Sequence, residues 1–356
     1  MYRILAINPG NTSTKIGFFN DTELIFSDTV RHDSDYLKRF HSFGEQLDFR
    51  FEAINNFIDK NNIDLKEVDF FIGRGGILKP LKSGLYEVND KMIETLLNPK
   101  VEHASNLGAL IADDFAKRYK KKAYILDPVC VDEMDDIARI SGSPLFPRST
   151  LFHALNQKRM ARWASKDLGK KYSELNLIVA MLGSGISVGM HSYGRVIDVT
   201  NAVEGEGPFS PERAGAIPIM PFLKYVLENK LDYRQANRLI YGEGGLVAYL
   251  GTNNMQDVIK KYNEGKDSKV ISIIEAMAYQ VAKEIAVMAV PVSGNVDAIV
   301  LTGGLSYEKI FTDLIISRIK FITDKILVYP GEDELAAMAE GVIGGINGEI
   351  DILEYK

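Results

Sequence analysis

Residues Ile4-Leu5-Ala6-Ile7-Asn8-Pro9-Gly10-Asn11-Thr12-Ser13-Thr14-Lys15-Ile16-Gly17-Phe18-Phe19 read as a strand, a turn and a second strand. Two apolar runs of strand length flank a stretch of Asn, Gly, Thr, Ser and Lys. An ordinary hairpin needs only a two-residue turn such as Asn-Gly. This one gathers backbone N–H groups, the hydroxyls of Thr12, Ser13 and Thr14, and the Lys15 ammonium. That is the donor set that holds a polyphosphate.

The pattern returns near the middle of the chain. Leu177-Ile178-Val179-Ala180-Met181-Leu182 runs into Gly183-Ser184-Gly185 and leaves as the alternating segment Ile186-Ser187-Val188-Gly189-Met190. Glycine at such a turn lets a ligand approach the backbone closely. A third buried-looking strand, Ala298-Ile299-Val300-Leu301, ends in Thr302-Gly303-Gly304-Leu305 before a helical pattern from Tyr307 to Lys320. A glycine pair there suits a flat nucleoside and donation from a helix N-terminus. No Gly-x4-Gly-Lys-Ser/Thr occurs, and the spacing of Gly183, Gly185 and Gly189 fails the dinucleotide fingerprint. Two phosphate hairpins and a late Thr-Gly-Gly predict a duplicated α/β fold that clasps ATP between its halves.

The remaining pattern agrees with two α/β halves. Helical periodicity is expected over 43–61, 104–119, 151–165, 218–228, 233–241 and 270–290, with strands over 69–72, 123–126 and 194–198. At 356 residues the chain exceeds one ordinary core. The boundary is expected near 149/150: one domain over 1–149, a second over 150–339, and a C-terminal segment, 340–356, packing back on the first. The helical stretch Glu334–Ile346 leads into that segment. A net charge of −6 argues against a general nucleic-acid or anionic-membrane binder. One cysteine, Cys130, excludes an internal disulfide framework. No apolar run approaches the ~18–20 residues that span a bilayer, and Ile4–Ile7 is too short for a signal-peptide core. The expected compartment is the cytoplasm. The acidic run 132–136 is read as a solvated helix start.

Seven pieces, in order, carry a resemblance. They are Asn8-Pro9-Gly10-x-Thr12-Ser13-Thr14-Lys15, Gly73-Arg74-Gly75-Gly76, Glu102-His103-Ala104-Ser105-Asn106-Leu107-Gly108, Phe152-His153-Ala154-Leu155-Asn156-Gln157-Lys158, Glu204 to Arg213, Thr302-Gly303-Gly304 and Pro330-Gly331-Glu332-Asp333-Glu334-Leu335. Over nearly the whole length the chain resembles the acetate/butyrate kinase family, nearest to its butyrate and branched-chain fatty acid kinases. This family lies within the superfamily of sugar kinases, chaperone ATPases and actin. The resemblance implies two ribonuclease H-like domains of the actin-like ATPase type with an ATP cleft between them. It also implies reversible, Mg²⁺-dependent phosphoryl transfer between ATP and a short-chain carboxylate, giving ADP and an acyl phosphate, in a homodimer or larger homo-oligomer.

A carboxylate is already ionised near neutral pH, so the reaction needs no general base. It needs cations that bring two anions together and stabilise in-line transfer. By resemblance, Arg74 holds the substrate carboxylate and Arg213, after the Gly/Pro-rich loop, grips the transferred phosphoryl group. His153 donates to a phosphoryl oxygen in the transition state, and His103 supports the substrate site with Phe152 as an apolar wall. Asn8, Thr12, Ser13 and Lys15 form the first phosphate loop. Gly183, Ser184, Gly185 and Ser187 form the second. Thr302, Gly303, Gly304 and Leu305 line the adenosine pocket. Asp127, at a strand C-terminus, is expected to bind hydrated Mg²⁺ or orient phosphates, with Asp333 or Glu334 as the other acidic candidate. His32, His41 and His191 have no such context.

Three features set this chain apart within the resemblance, one of them Ser184, which replaces a Gly or Asn of the second loop. Gly75-Gly76 stand where acetate kinases carry bulky aliphatic residues, which is expected to leave room for a longer alkyl tail. Met181 stands where the family usually has histidine, which removes a donor near the phosphates. A histidine restored there is expected to help. Competing readings are an ATP-gated interaction protein of actin or chaperone type, and a weakly active paralogue on the same scaffold.

Overall fold

The structure is a computed structural model that describes residues 1–37, 39–40, 42–99 and 103–356. Two compact units emerge: Met1–Val131 with Asp333–Lys356, and Asp132–Glu332.

The first unit is built on a seven-stranded sheet. Its strands are β1 (Arg3–Pro9), β2 (Ser13–Asn20), β3 (Glu23–Arg31), β4 (Phe70–Arg74), β5 (Leu85–Glu87), β6 (Lys122–Leu126) and β12 (Ile352–Glu354), in the order β12-β5-β6-β4-β1-β2-β3. β1 and β2 form the antiparallel hairpin expected from the opening stretch, with Pro9 opposite Thr14. β4 joins β1 in parallel, and β6 joins β4 in parallel. A central strand covered on both faces carries an unbroken apolar run, and Ile4 to Ile7 are fully buried. The helices that bear on the site here are α1 (Leu47–Lys60) and α2 (Asn106–Tyr119). On their side of the sheet Leu5, Ile7, Ile16 and Phe18 meet Ile54, Phe57, Phe71 and Phe115.

The second unit has a five-stranded sheet: β7 (Asn176–Leu182), β8 (Ile186–Ser192), β9 (Arg195–Val199), β10 (Ala298–Gly303) and β11 (Ile326–Pro330), ordered β11-β10-β7-β8-β9. β7, β8 and β9 are antiparallel neighbours, and β10 and β11 extend the sheet in parallel from β7. This repeats the β3-β2-β1-β4-β6 order of the first unit, so the duplication read from the two hairpins is present in the topology. Its helices include α3 (Ala154–Asp167), α4 (Ile219–Glu228), α5 (Ser268–Val287) and α6 (Lys309–Ile319). α5 places Ile274, Met277, Ala278, Val281 and Ile285 in the core, the three-and-four spacing of a buried stripe.

The C-terminal helix α7 (Glu334–Ile346) belongs to the first unit. Its small residues let it lie close to the sheet. A Cβ on Gly341 would sit 2.2 Å from a Leu126 methyl, and one on Gly345 would sit 2.6 Å from a Leu85 methyl. The units divide at 131/132 and 332/333, rather than near 149/150 and 340 as the sequence pattern placed the boundaries. Residues 132–149 are tied to the second unit by side chains. Arg148 bridges Asp198 and Glu206, Asp135 N–H donates to Ile197, and Glu133 holds the Lys158 ammonium at 2.6 Å. The acidic run is a solvated helix start only at its end, where Asp135 is the N-cap residue of the short helix Asp136–Arg139 and Asp136 is exposed; Asp132 and Glu133 are instead largely buried partners of Arg139 and Lys158.

Candidate active site

In the first unit four functional candidates meet where β1, β4, the turn into α2 and the start of α7 come together. Arg74 ends β4 and is buried. Its Nη2 lies 3.3 Å from Glu334 Oε1, and the other Glu334 oxygen accepts from Asn8 Nδ2 at 2.5 Å. Arg74 Nη1 is also buried and has no hydrogen-bond partner among the described residues. A buried donor of that kind costs free energy until an acceptor meets it.

His103 lies beside this arginine. Its Nδ1 is approached by Ser105 Oγ at 2.7 Å and by the Ser105 backbone N–H at 3.2 Å. The backbone N–H can only donate, so Nδ1 accepts and the ring proton sits on Nε2. Burial, and then the Arg74 charge, lower the His103 pKa and favour this neutral donor form. Glu102 of the same motif lies outside the described residues.

The close packing here comes from glycine. A Cβ on Gly73 would sit 2.0 Å from the Gly108 carbonyl oxygen, and one on Gly108 would sit 2.3 Å from the Arg74 carbonyl oxygen. Strand and helix thus touch backbone to backbone, which fixes Arg74. The same geometry corrects the expectation for Gly75 and Gly76. A Cβ on Gly75 would meet Pro128 at 2.6 Å, and one on Gly76 would meet Asn106 Oδ1 at 2.5 Å and its Cα at 2.7 Å. That space is already filled by protein, so these glycines serve close packing and leave no room for an alkyl tail.

Asp127 follows β6 directly, as expected, in the left-handed region at φ 38°, an uncommon conformation for a residue with a side chain. It is fully buried, and its Oδ1 accepts from Ser83 Oγ at 2.6 Å and from Gly84 N–H at 2.9 Å. The structure also separates two acids that sequence alone could not. Asp333 caps α7, accepting from Ala336 N–H, whereas Glu334 joins Arg74 and Asn8.

The first hairpin turn is tight: Gly10 N–H donates to the Ser13 carbonyl at 2.7 Å. Thr12 and Lys15 are exposed, Ser13 is half-buried and Thr14 is buried. Beneath the turn lies a residue that sequence reading missed. Arg50 on α1 is fully buried and donates to the Ser13 carbonyl (2.8 Å), Thr14 Oγ1 (3.0 Å) and Gln46 Oε1 (2.9 Å). No carboxylate pairs with it among the described residues. Burial lowers its pKa to about 10, so it remains cationic at neutral pH. His32, also passed over in the sequence, bonds Thr14 Oγ1 at 2.8 Å. Burial and then the Arg50 charge lower its pKa to about 4 and keep it neutral. An arginine inside an ordinary helical pattern carries no local mark of this role.

In the second unit the turn Gly183–Gly185 links β7 and β8. Ser184 is exposed, and its carbonyl is held by Ser210 Oγ at 2.6 Å. Arg213 sits directly on this turn. A Cβ on Gly185 would fall 2.0 Å from Arg213 Nη1. Nη1 donates to the Ala202 carbonyl at 2.5 Å, and the guanidinium stacks 4.7 Å above the Tyr241 ring. Arg213 makes no ion pair among the described residues, so its charge meets only a carbonyl and an aromatic face. His153 stands just before α3, with Nδ1 2.8 Å from Ser187 Oγ. Phe152 beside it is buried.

Thr302 and Gly303 end β10, and Gly303, at φ 93°, could not carry a Cβ, which would sit 2.3 Å from the Leu182 carbonyl oxygen. Around Gly304 a Cβ would meet nothing within 4 Å, and Leu305 is buried below. Glu332, next to Asp333 and Glu334 in sequence, places Oε1 3.4 Å from Gly304 N and beside Gly183. Met181 is buried opposite Ser187 with its methyl under Gly183. A histidine there would stand beside Ser187 and under the Gly183 turn, and Met181→His is expected to raise activity or at least leave it unharmed.

Two sheets of matching strand order, each with a small-residue hairpin, define the actin-like ATPase architecture in the form found in acetate kinases. The crystal structure of acetate kinase from Porphyromonas gingivalis superposes with a TM-score of 0.76 at 14% identity, covering 96% of this chain and 99% of that one. A model of the acetokinase family matches residues 148–323. The chain is 47% identical over 357 positions to butyrate kinase 1 of Clostridium acetobutylicum, covering 100% of both. It is 46% identical to a probable butyrate kinase of Coprothermobacter proteolyticus, covering 99% of each. The chain belongs to the acetokinase family and is a phosphotransferase with a carboxyl group as acceptor.

Proposed function

We propose that the chain transfers the γ-phosphoryl group of ATP to butyrate or a branched acid of four to five carbons, reversibly. A carboxylate oxygen forms a bond to the γ-phosphorus while the bond from that phosphorus to the β–γ bridging oxygen breaks, leaving ADP and an acyl phosphate. No proton need be removed. The observation that carries this reading is Arg74: a buried guanidinium with one nitrogen on Glu334 and the other without an acceptor, matched to a carboxylate. The neutral His103 Nε2–H is a second donor beside it.

The first unit's share is thus carboxylate binding by Arg74 and His103, with phosphate contacts from Asn8, Thr12, Ser13 and Lys15. The second unit's share is Arg213 on the transferred phosphoryl group, His153 as a donor to it, and Phe152 as an apolar wall. There the Gly183–Gly185 turn holds phosphates and Thr302 to Leu305 line the adenosine, while Ser187, expected in the phosphate loop, is buried in β8 with its hydroxyl on His153 and Gln157. Magnesium would travel with the nucleotide and neutralise phosphate charge. Among the described residues no cluster of three His, Cys, Asp or Glu side chains forms a cage, which fits an ion carried mainly by phosphate and water. Glu334 and Asp127 are the carboxylates that would hold it, with Asp333 engaged as a helix cap. No helix among the described residues is long and apolar enough to cross a membrane.

The acyl preference rests on the similarity to butyrate kinases and not on Gly75 and Gly76. Each methylene held in an apolar pocket discriminates by about 10-fold or more. Straight and branched C2 to C6 acids assayed with Mg-ATP should therefore give butyrate or isobutyrate at least a tenfold advantage over acetate in kcat/KM. Equal values for acetate and butyrate would end the C4 assignment. Gly76→Val should fail to accumulate as folded enzyme, because its side chain meets the Asn106 backbone; a folded variant with a changed acyl preference would restore the space argument.

Self-association is part of the same proposal. α4 carries Ile219, Met220, Leu223 and Leu227 at 77, 71, 45 and 67% exposure, an apolar surface of the kind that marks contact sites. Sedimentation velocity should return a dimer or larger species, and a monomer at micromolar concentration would contradict it.

A further inference from the structure

His153 is the near end of a buried chain of hydrogen bonds that no local sequence signal announces. Its Nδ1 meets Ser187 Oγ at 2.8 Å. Gln157, one turn along α3, directs Nε2 at both Ser187 Oγ (2.8 Å) and the Ser187 carbonyl (3.1 Å). Gln157 Oε1 lies 3.0 Å from His191 Nε2, and His191 Nδ1 lies 2.7 Å from the Tyr172 hydroxyl. Ser187, Gln157 and His191 are all fully buried.

The protons on Gln157 and on His191 Nε2 follow from one backbone atom. The Ser187 carbonyl can only accept, so the Gln157 amide must turn its NH₂ toward it, which leaves Oε1 facing His191. His191 Nε2 must then carry hydrogen. His191 is neutral, because burial and then the charges of Lys158 and Arg162 lower its pKa well below the usual histidine value. Its Nδ1 therefore accepts from Tyr172. Lys158 is held by Glu133 at 2.6 Å and also lies over the Tyr172 ring. At the other end Ser187 Oγ accepts from Gln157 and turns its own hydrogen to His153 Nδ1.

We infer that Ser187, Gln157 and His191 are positioning residues that hold His153 as the neutral tautomer with its proton on Nε2, set to donate to a phosphoryl oxygen. This rests on the donor role proposed for His153. Protonating Nδ1 would force Ser187 to accept twice and leave its buried hydroxyl hydrogen without an acceptor, so the chain opposes the imidazolium form. The tautomer is fixed from behind, as an oriented partner fixes a catalytic imidazole elsewhere.

The test uses the full enzyme with ¹⁵N-labelled histidine, reading the His153 ring nitrogens in the wild type and in Gln157→Met, whose side chain has similar length but cannot donate a hydrogen bond. The wild type should show protonated Nε2 and bare Nδ1 at neutral pH. Gln157→Met should show mixed tautomers or imidazolium, with kcat down about tenfold and both KM values within threefold. If Gln157→Met does not fold, Ser187→Ala read by the same spectrum is expected to show the same mixing. A His153 spectrum unchanged in the variant, or a wild type with protonated Nδ1, overturns the relay. His153→Ala separates the two readings. A kcat loss of about 10²–10³-fold supports the donor role whatever the spectra show, and near-normal kcat removes that role even if the tautomer is fixed.

Discussion

Arg213→Ala is expected to lower kcat by about 10³-fold or more, with the KM for carboxylate nearly unchanged. The expectation comes from how the guanidinium is held. It has no carboxylate partner among the described residues. Among the described residues the guanidinium donates to the Ala202 carbonyl, lies over the Tyr241 ring and fills the space a Gly185 Cβ would take. A charge kept this way is oriented but not neutralised, and it can act on the equatorial oxygens of a phosphoryl group as their charge spreads in the transition state. Lysine could supply a charge without the planar fork, so Arg213→Lys should recover only a small part of the loss. Gly185→Ala offers an independent check that leaves the arginine in the chain. Its methyl group would occupy the guanidinium position, so the side chain must move and activity should fall in the same direction. An Arg213→Ala enzyme that keeps a third of wild-type turnover would take Arg213 out of the mechanism.

The opening stretch made the first hairpin legible because it combines a continuously apolar central strand with an over-long polar turn. The second hairpin and the strand ending in Thr302 were legible for the same reason. β3 was not. Leu24, Ile25 and Phe26 are exposed on an edge strand, so no alternation of buried and exposed positions marks it. The two arginines stand in Gly-rich turns that sequence can single out, whereas Arg50 and His191 lie inside ordinary helix and strand patterns. Their roles follow from contacts 34 to 37 positions away in the chain, between Arg50 and the Ser13–Thr14 turn and between His191 and Gln157. The Gly75-Gly76 reading shows the opposite error. In sequence a missing side chain reads as space, but Asn106 and Pro128 from other elements already fill it.

Arg74→Ala is expected to reduce kcat/KM for the carboxylate by about 10²–10³-fold, mainly through KM, while the KM for ATP stays within threefold. Removing one member of a buried, hydrogen-bonded charge pair costs about 2–5 kcal/mol, and each 1.4 kcal/mol is about tenfold. Two effects contribute to that loss and they can be told apart. Nη1, the buried nitrogen without an acceptor, would no longer meet a substrate oxygen. Glu334 would also lose the Arg74 cation and present more negative charge to an anionic substrate, while its contact with the Asn8 amide stays. Adding Glu334→Gln to Arg74→Ala removes the second effect, and the Glu334→Gln enzyme alone is the reference that carries any loss from Mg²⁺ binding. If carboxylate binding is Arg74's task, the double variant should remain at least 30-fold below the Glu334→Gln enzyme in kcat/KM for the carboxylate. Recovery to within threefold would mean that Arg74 only neutralises Glu334, and the carboxylate would have to be held by another donor in the first unit, with His103 Nε2–H the nearest alternative.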